Sequence, residues 1–482
     1  MKKLLCILLS GIMAASVLVS CANTDDNTDN GDKGKNPVKE NAADMPDFPE
    51  ADFGGAEFKI LHYGETAMDY HDQYIWAEGI SGGAISDAVA ERNRLTEEMY
   101  NVTIAAEECD PMTEATRRIQ SGQCDFELIY EWRSRSITAA LEGKLYDFLD
   151  VENLNLDRSY WVPSAVEDLT VCNNLFIATN YTSMNSLSWA SMLFFNKKLM
   201  DKMNYTYPYE YVENNQWVID TYLTMITESA EDLNGDGEMT ADDQFGVFNN
   251  TPDYIYNEPW YEVDKNGEYK VIGYTERLVA LFSKYNKKMK DVSIVGYKEA
   301  WDTIDTTVNP SMHIAARMVM FGEDHVLFMP GTIDMTKELV NMESDYGVCP
   351  NPKLTPEDDW CVEMDPNAPM FSIPLLVEDT EMVGMVLDYM AYQSEQNLLP
   401  AYYDTTIKTK RMQDTRDYDM LDIIKSNVTI DGLAMYGGCG VPRDDMLISG
   451  NFASVWKRYQ KTAQAQLDST IEILQELDGK YE

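Results

Sequence analysis

The sequence predicts an α/β fold built in two parts. Strand and helix patterns alternate, and the chain beyond residue 53 is long enough for two domains or one large bilobed body. Hydrophobic residues make up 44% of the chain, enough for a globular core. A first strand is predicted over 58–61, directly after Gly54-Gly55. Ser86 and Asp87 are placed to cap a helix over 88–100, with Val89, Leu95 and Met99 turned inward. A strand over 102–106, a helix over 113–121, a strand over 126–130 and a helix over 136–145 follow. This βαβαβα order predicts a parallel sheet with helices on both faces. Such sheets bind ligands at the carboxyl ends of their strands. The loops after Leu61 and Tyr130 are therefore candidate site loops.

Further along, strands are predicted over 175–179 and 192–195, flanking a crossing point. A strand over 326–329 leads into a turn at Pro330-Gly331, and a short apolar strand covers 370–373. The helix over 380–393 places Val383, Val386, Leu387 and Met390 on one face. The last helix is marked by Val455, Tyr459, Ala463, Leu467, Ile471 and Leu474, spaced every three or four residues. No internal repeat of fixed period is present.

The start of the chain carries a different signal. Lys2 and Lys3 precede an apolar run over 4–19, in the layout of a secretory leader. The run is too short for a comfortable permanent span. Ser20-Cys21 resembles a bacterial lipobox, whose cysteine takes a lipid and becomes the new N-terminus. This predicts an extracytoplasmic protein anchored to the bacterial membrane through Cys21. Residues 22–50 are polar, small and Pro-containing, the composition of a flexible tether.

The net charge is −44, from 38 basic and 82 acidic residues. A field of this sign disfavours nucleic acid and anionic lipid as partners. Of eight cysteines, Cys6 lies in the leader and Cys21 at its end. Cys109, Cys124, Cys172, Cys349, Cys361 and Cys439 remain, an even number that permits disulfides outside the cell. Six buried thiols would serve equally, and Cys349 with Cys361 is the pairing considered first. No Cys/His spacing indicates zinc.

Three motifs carry possible chemistry. Residues 232–243 have calcium-loop spacing. Asp232, Asn234 and Asp236 would offer side-chain oxygens, Glu238 its carbonyl, Thr240 a water-mediated contact and Asp243 the closing carboxylate. Gly237 permits the turn, and Asp243 stands where a bidentate Glu is usual. A solvated acidic turn is the plain alternative. Second, the aromatic supply includes nine Trp and 29 Tyr, which suits stacking on the C–H faces of sugars as well as ordinary core packing. Third, Gly79-Ile80-Ser81-Gly82-Gly83 matches the string of a nucleophile elbow, but no strand is predicted directly before it.

The segments at 87–104, 126–148, 186–200, 214–247, 344–354 and 370–395 together resemble the extracellular solute-binding proteins of ABC importers, the family-1, maltose-binding-protein-like group, in its long clostridial-type lipoprotein form. The resemblance implies a two-lobed periplasmic-binding-protein-like fold of type II, each lobe a mixed sheet flanked by helices, joined by hinge crossings. It implies lobe 1 at 53–180 plus about 368–400, and lobe 2 at about 181–367 plus 401–482, after a leader at 1–20 and a tether at 21–52. It further implies capture of a small-molecule solute, most often carbohydrate, and delivery to ABC permease subunits by a monomer. No catalytic residue or catalytic cofactor is then required, leaving structural calcium as the only ion.

By the same resemblance the loop after the third strand lines the cleft, with Trp132 as a stacking ring, Arg133 as a hydroxyl-binding fork and Glu131 beside them. Tyr63, Trp76, Trp189, Trp260, Thr332 and Tyr436 are secondary candidates for ligand contact. Two rival classes are a surface carbohydrate-active enzyme or esterase using the same cleft, and an adhesion or sensor lipoprotein.

Overall fold

The computed structural model describes residues 46–63, 74–77, 79–248, 261–264, 267–289, 312–365, 368–412, 414–432, 436, 446 and 450–479. Cys21, Cys439 and Trp260 lie outside the described residues. Residues from Phe48 to Glu482 belong to one compact unit, within which two separate mixed sheets organise the chain.

The first sheet has the order β2-β1-β3-β12-β4. Its strands are β1 (Ala56–His62), β2 (Val102–Glu108), β3 (Leu128–Trp132), β4 (Leu145–Tyr146) and β12 (Pro369–Pro374). β1 pairs in parallel with β2 and β3, as the alternating pattern predicts. β12 returns from far along the chain and pairs antiparallel with β3, Pro369 opposite Trp132 and Met370 opposite Glu131. Phe58, Ile60, Leu61, Leu128 and Ile129 have no exposed surface. Burial of these side chains places the core of this part of the chain on the sheet.

The second sheet has the order β10-β5-β9-β6. It is formed by β5 (Ser191–Asn196), β6 (Phe245–Val247), β9 (Val326–Thr332) and β10 (Tyr346–Cys349). β5 is antiparallel to both β9 and β10, while β6 and β9 are parallel. Two small pairs complete the set: a hairpin of β7 (Tyr261–Val263) and β8 (Tyr269–Val271), and a parallel pair of β11 (Val362–Glu363) and β13 (Val428–Thr429).

Several boundaries differ from the sequence reading. The first helix is Ala84–Tyr100 and starts at Gly83, which offers no side-chain cap. Ser86 and Asp87 fall inside its first turn, where Asp87 instead accepts the N–H groups of Ser81 and Gly82 at 2.7 and 3.0 Å. The helix Pro111–Gln120 begins earlier than predicted because Asp110 caps it and Pro111 fills the first turn. The helix after β3 is Arg133–Leu141, and Leu145 belongs to β4. Residues 175–179 form no full strand; Ala178 makes a single bridge to Phe371.

β9 runs through Pro330-Gly331 rather than turning there. Pro330 lacks an N–H, but the β6 pairing among the described residues ends at Val247 opposite Phe328, so the ladder does not need one. The helix Thr380–Gln393 has the predicted bounds and buries Val383, Val386, Leu387 and Met390. The last helix, Phe452–Leu477, buries Val455, Ala463, Leu467, Ile471 and Leu474. Cys349 is a buried free thiol, so the considered 349–361 pairing is not made. Cys361 Sγ instead lies 3.7 Å from Thr429 Oγ1.

Candidate functional site

Parallel pairing of β1 with β3 brings their carboxyl ends side by side. Tyr63 follows β1 and Trp132 ends β3, and their ring centroids lie 6.3 Å apart at 49°. Trp132 also meets Trp189 edge to face, at 6.0 Å and 78°. Trp189 caps the C-terminus of the short helix Asn185–Ser188, just ahead of β5. The three rings therefore bridge from the first sheet to the start of the second. Tilted and edge-to-face contacts suit the aromatic quadrupole. Both Trp132 and Trp189 keep part of their surface exposed.

Glu131 holds this arrangement from behind. Its side chain has no exposed surface. Oε1 accepts the Trp132 N–H at 2.7 Å, and Oε2 accepts the Met112 N–H at 2.9 Å. Met112 is in the first turn of Pro111–Gln120, where a carboxylate is favoured by the helix dipole. Arg135 reaches Glu131 Oε2 at 3.2 Å, bonds the Tyr63 hydroxyl, and meets Asp110 Oδ1 and Thr113 Oγ1 at 2.8 Å each. Burial pushes the Glu131 carboxyl upward against these donors. Burial, reinforced by the Glu131 charge, also raises the Tyr63 phenol. Glu131 is thus placed as a bracket that aims Trp132 and Tyr63. Arg135, which sequence reasoning missed, completes the bracket; with Glu131 on β3 and Arg135 on the helix that follows, no regular spacing marks the pair in the sequence.

The second sheet contributes the opposite end. Thr332 pairs with Ser191, two residues past Trp189. The Ile333 N–H donates to the Ala190 carbonyl at 3.2 Å, and the Asp365 N–H to the Trp189 carbonyl at 2.9 Å. β9 passes here from full burial at Val326 to Met329 into partial exposure at Pro330 to Thr332. Gly331 is required by close approach, since a Cβ would stand 2.7 Å from Met335 Sδ and 2.9 Å from Phe194 Cε2.

Arg133 is half-buried as the first residue of Arg133–Leu141. Trp76 is 45% exposed, next to Tyr74 and Ile75, whose carbonyls are held by the buried Arg92 guanidinium at 2.6 Å each. Tyr436 is buried, with Asp147 and Phe176 among its neighbours.

The 232–243 loop is ordered by its own carboxylates. Asp232 accepts the N–H groups of Gly235 and Gly237 at 2.7 and 2.8 Å, and Asn234 and Asp236 each accept one at 2.8 Å. Asp243 has no exposed surface and accepts from Leu233 N at 2.9 Å and Thr240 N at 2.8 Å. Burial acts to raise its carboxyl, but these donors outweigh it and hold it below the usual range. Among the described residues no three His, Cys, Asp or Glu side chains already converge as a metal cluster. The donors are nonetheless all hard oxygens, the class that calcium takes. Ser81 lies in an exposed loop, its Oγ 2.6 Å from Ser86 Oγ, with no strand immediately before it.

No known family model matches the chain, and no curated protein matches it by sequence. Solved structures do match. The extracellular solute-binding protein of Staphylococcus aureus, in complex with maltose, aligns with a TM-score of 0.52 at 10% identity, over 87% of this chain and 97% of that one. UspC of M. tuberculosis aligns at 0.51 and 12% identity, over 85% and 100%. The maltose/maltodextrin-binding domain MalE of Bdellovibrio bacteriovorus, bound to maltotriose, aligns at 0.46 and 14% identity, over 86% and 99%. The chain has the two-lobed α/β fold of extracellular solute-binding proteins, with a mixed sheet in each lobe.

Proposed function

We propose that this protein captures a solute, an oligosaccharide in the first instance, between its two lobes and passes it to an ABC permease. The observation that carries this reading is the Tyr63–Trp132–Trp189 ring chain, which joins the carboxyl ends of β1 and β3 to the residues just before β5. Rings placed there can stack on sugar C–H faces from both sides of a cleft. A ligand touching both lobes has higher affinity for the closed form and so shifts the population toward it. The Staphylococcus aureus neighbour, which shares the fold, was solved with maltose.

In this reading the chain transforms nothing, and its residues only bind, orient and exclude water. A lipid on Cys21 holds the body at the outer face of the membrane, and residues 22–50 give it reach. Calcium, held by Asp232, Asn234, Asp236, Glu238, Thr240 and Asp243, stiffens a loop and takes no part in capture.

Isothermal titration of native chain and Trp132→Ala with an oligosaccharide series tests the site. The variant is expected to lose about 3- to 10-fold in affinity while keeping most of its thermal stability, since an aromatic contact is worth about 0.5–1.5 kcal/mol beyond the area it buries. Equal affinity would remove Trp132 from the site.

A further inference from the structure

Between the first sheet and β5 the chain runs through residues 179–188, of which seven are Ser, Thr or Asn. Ala178 anchors one end, its N–H and carbonyl paired with Phe371 of β12 at 3.0 and 2.9 Å. The carbonyls of Trp189 and Ala190 anchor the other, on the N–H groups of Asp365 and Ile333. Asn185 Nδ2 bonds the Pro369 carbonyl and seats the segment against β12. The Thr182 carbonyl accepts from Arg92 Nη1 at 3.0 Å, and the Tyr181 N–H donates to the Tyr160 carbonyl at 3.0 Å. Several side chains are not matched in this way. Thr179, Asn180, Thr182, Asn185, Ser186 and Ser188 are at most 3% exposed. Among the described residues, Thr179 Oγ1, Asn180 Nδ2, Thr182 Oγ1, Asn185 Oδ1, Ser186 Oγ and Ser188 Oγ meet no hydrogen-bond partner. The large majority of enclosed side-chain polar atoms in folded proteins are paired, to protein or to ordered water. Six such atoms within ten residues therefore mark a place built to be completed by something other than the chain.

We propose that this seam binds a cluster of ordered water molecules, enclosed where the chain passes from the first sheet to the second. The donor set names the ligand. Asn185 Oδ1 only accepts, Asn180 Nδ2 only donates, and the four hydroxyls do both. A cation needs acceptors alone and an anion donors alone, and none of the six side chains carries a charge to hold either ion. Water donates and accepts, and it is small enough for an enclosed polar space. Six atoms, at about three hydrogen bonds per buried water, call for about two molecules. These waters complete the bonding of the segment that leads into Trp189. The seam is distinct from the proposed solute site, because its polar atoms are enclosed while Trp132 and Trp189 keep exposed surface. The inference therefore stands apart from the oligosaccharide reading.

The test is a count of long-lived internal waters in the full chain by oxygen-17 magnetic relaxation dispersion, without any sugar present. The native chain is compared with a triple variant, Thr179→Val with Ser186→Ala and Ser188→Ala, which removes three hydroxyls and nearly keeps their volume. The triple variant, its fold checked by circular dichroism, is expected to hold about two fewer such waters than the native chain. An unchanged count overturns the inference, and would mean that the side chains pair with one another instead. Should the triple variant fail to fold, Thr179→Val and Ser186→Ala are measured singly. A loss of about one water in either supports the inference, and a native count in both overturns it. Because no sugar enters the measurement, its outcome and that of the maltose-type titrations are read separately.

Discussion

A single carboxylate shows how burial changes a residue's part. Glu131 was legible in the sequence as a neighbour of Trp132, but its orientation was not. A strand alternates its faces, and only the pairing with β12 and the packing of Pro111–Gln120 place Glu131 inside, on the Met112 N–H. Trp132 could be placed from its position after a predicted strand. Asp417 is a second buried carboxylate, 1% exposed, accepting from the Tyr209 hydroxyl at 2.5 Å and Val348 N at 2.9 Å. Burial pushes it up to about 6, against the opposing pull of Lys197. Its folded pKa lies above the unfolded value, so its contribution favours folding at low pH and is lost as pH rises through about 6. Relative to Asp417→Asn, the native chain should gain about 1 kcal/mol between pH 7 and pH 5, read from denaturant midpoints. A difference independent of pH would contradict this.

Two long helices were legible. The helix Thr380–Gln393 has the predicted bounds although it is buried on nearly every side, and Phe452–Leu477 buries Val455, Ala463, Leu467, Ile471 and Leu474 of the predicted stripe while Tyr459 is half-buried. Starts and stops were less legible because caps compete. Ser86 and Asp87 are good capping residues, yet the helix begins at Gly83 and Asp87 ties down the preceding loop. β12 pairs with β3 across more than two hundred residues of chain, a contact that no local pattern encodes. The 232–243 loop is the element whose spacing spoke most clearly, and its carboxylates already fold it around their own amides. About 1 mM calcium should raise the melting midpoint, as for modest extracellular sites. Asp232→Ala with Asp236→Ala should abolish the rise, and an equal rise in the variant would place calcium elsewhere.

At the scale of the whole molecule, the alternating order predicted the α/β class and the parallel β1–β3 core. The mixed character of both sheets comes from antiparallel returns that only the three-dimensional fold reveals. No helix among the described residues is long and apolar enough to cross a membrane. The proposed membrane attachment runs through a lipid on Cys21. Labelled palmitate should enter the native chain in a bacterial host and be absent from Cys21→Ala; label in both would refute the anchor.

A sugar is proposed to fill the space between the two sheets. Thermal unfolding of the chain against oligosaccharides, amino acids and peptides tests it most directly, because a ligand that binds only the native state raises the midpoint by mass action. The account predicts a rise with one family of oligosaccharides and none with amino acids or peptides. A rise with peptides or amino acids alone, or no rise with any sugar at millimolar concentration, would contradict it.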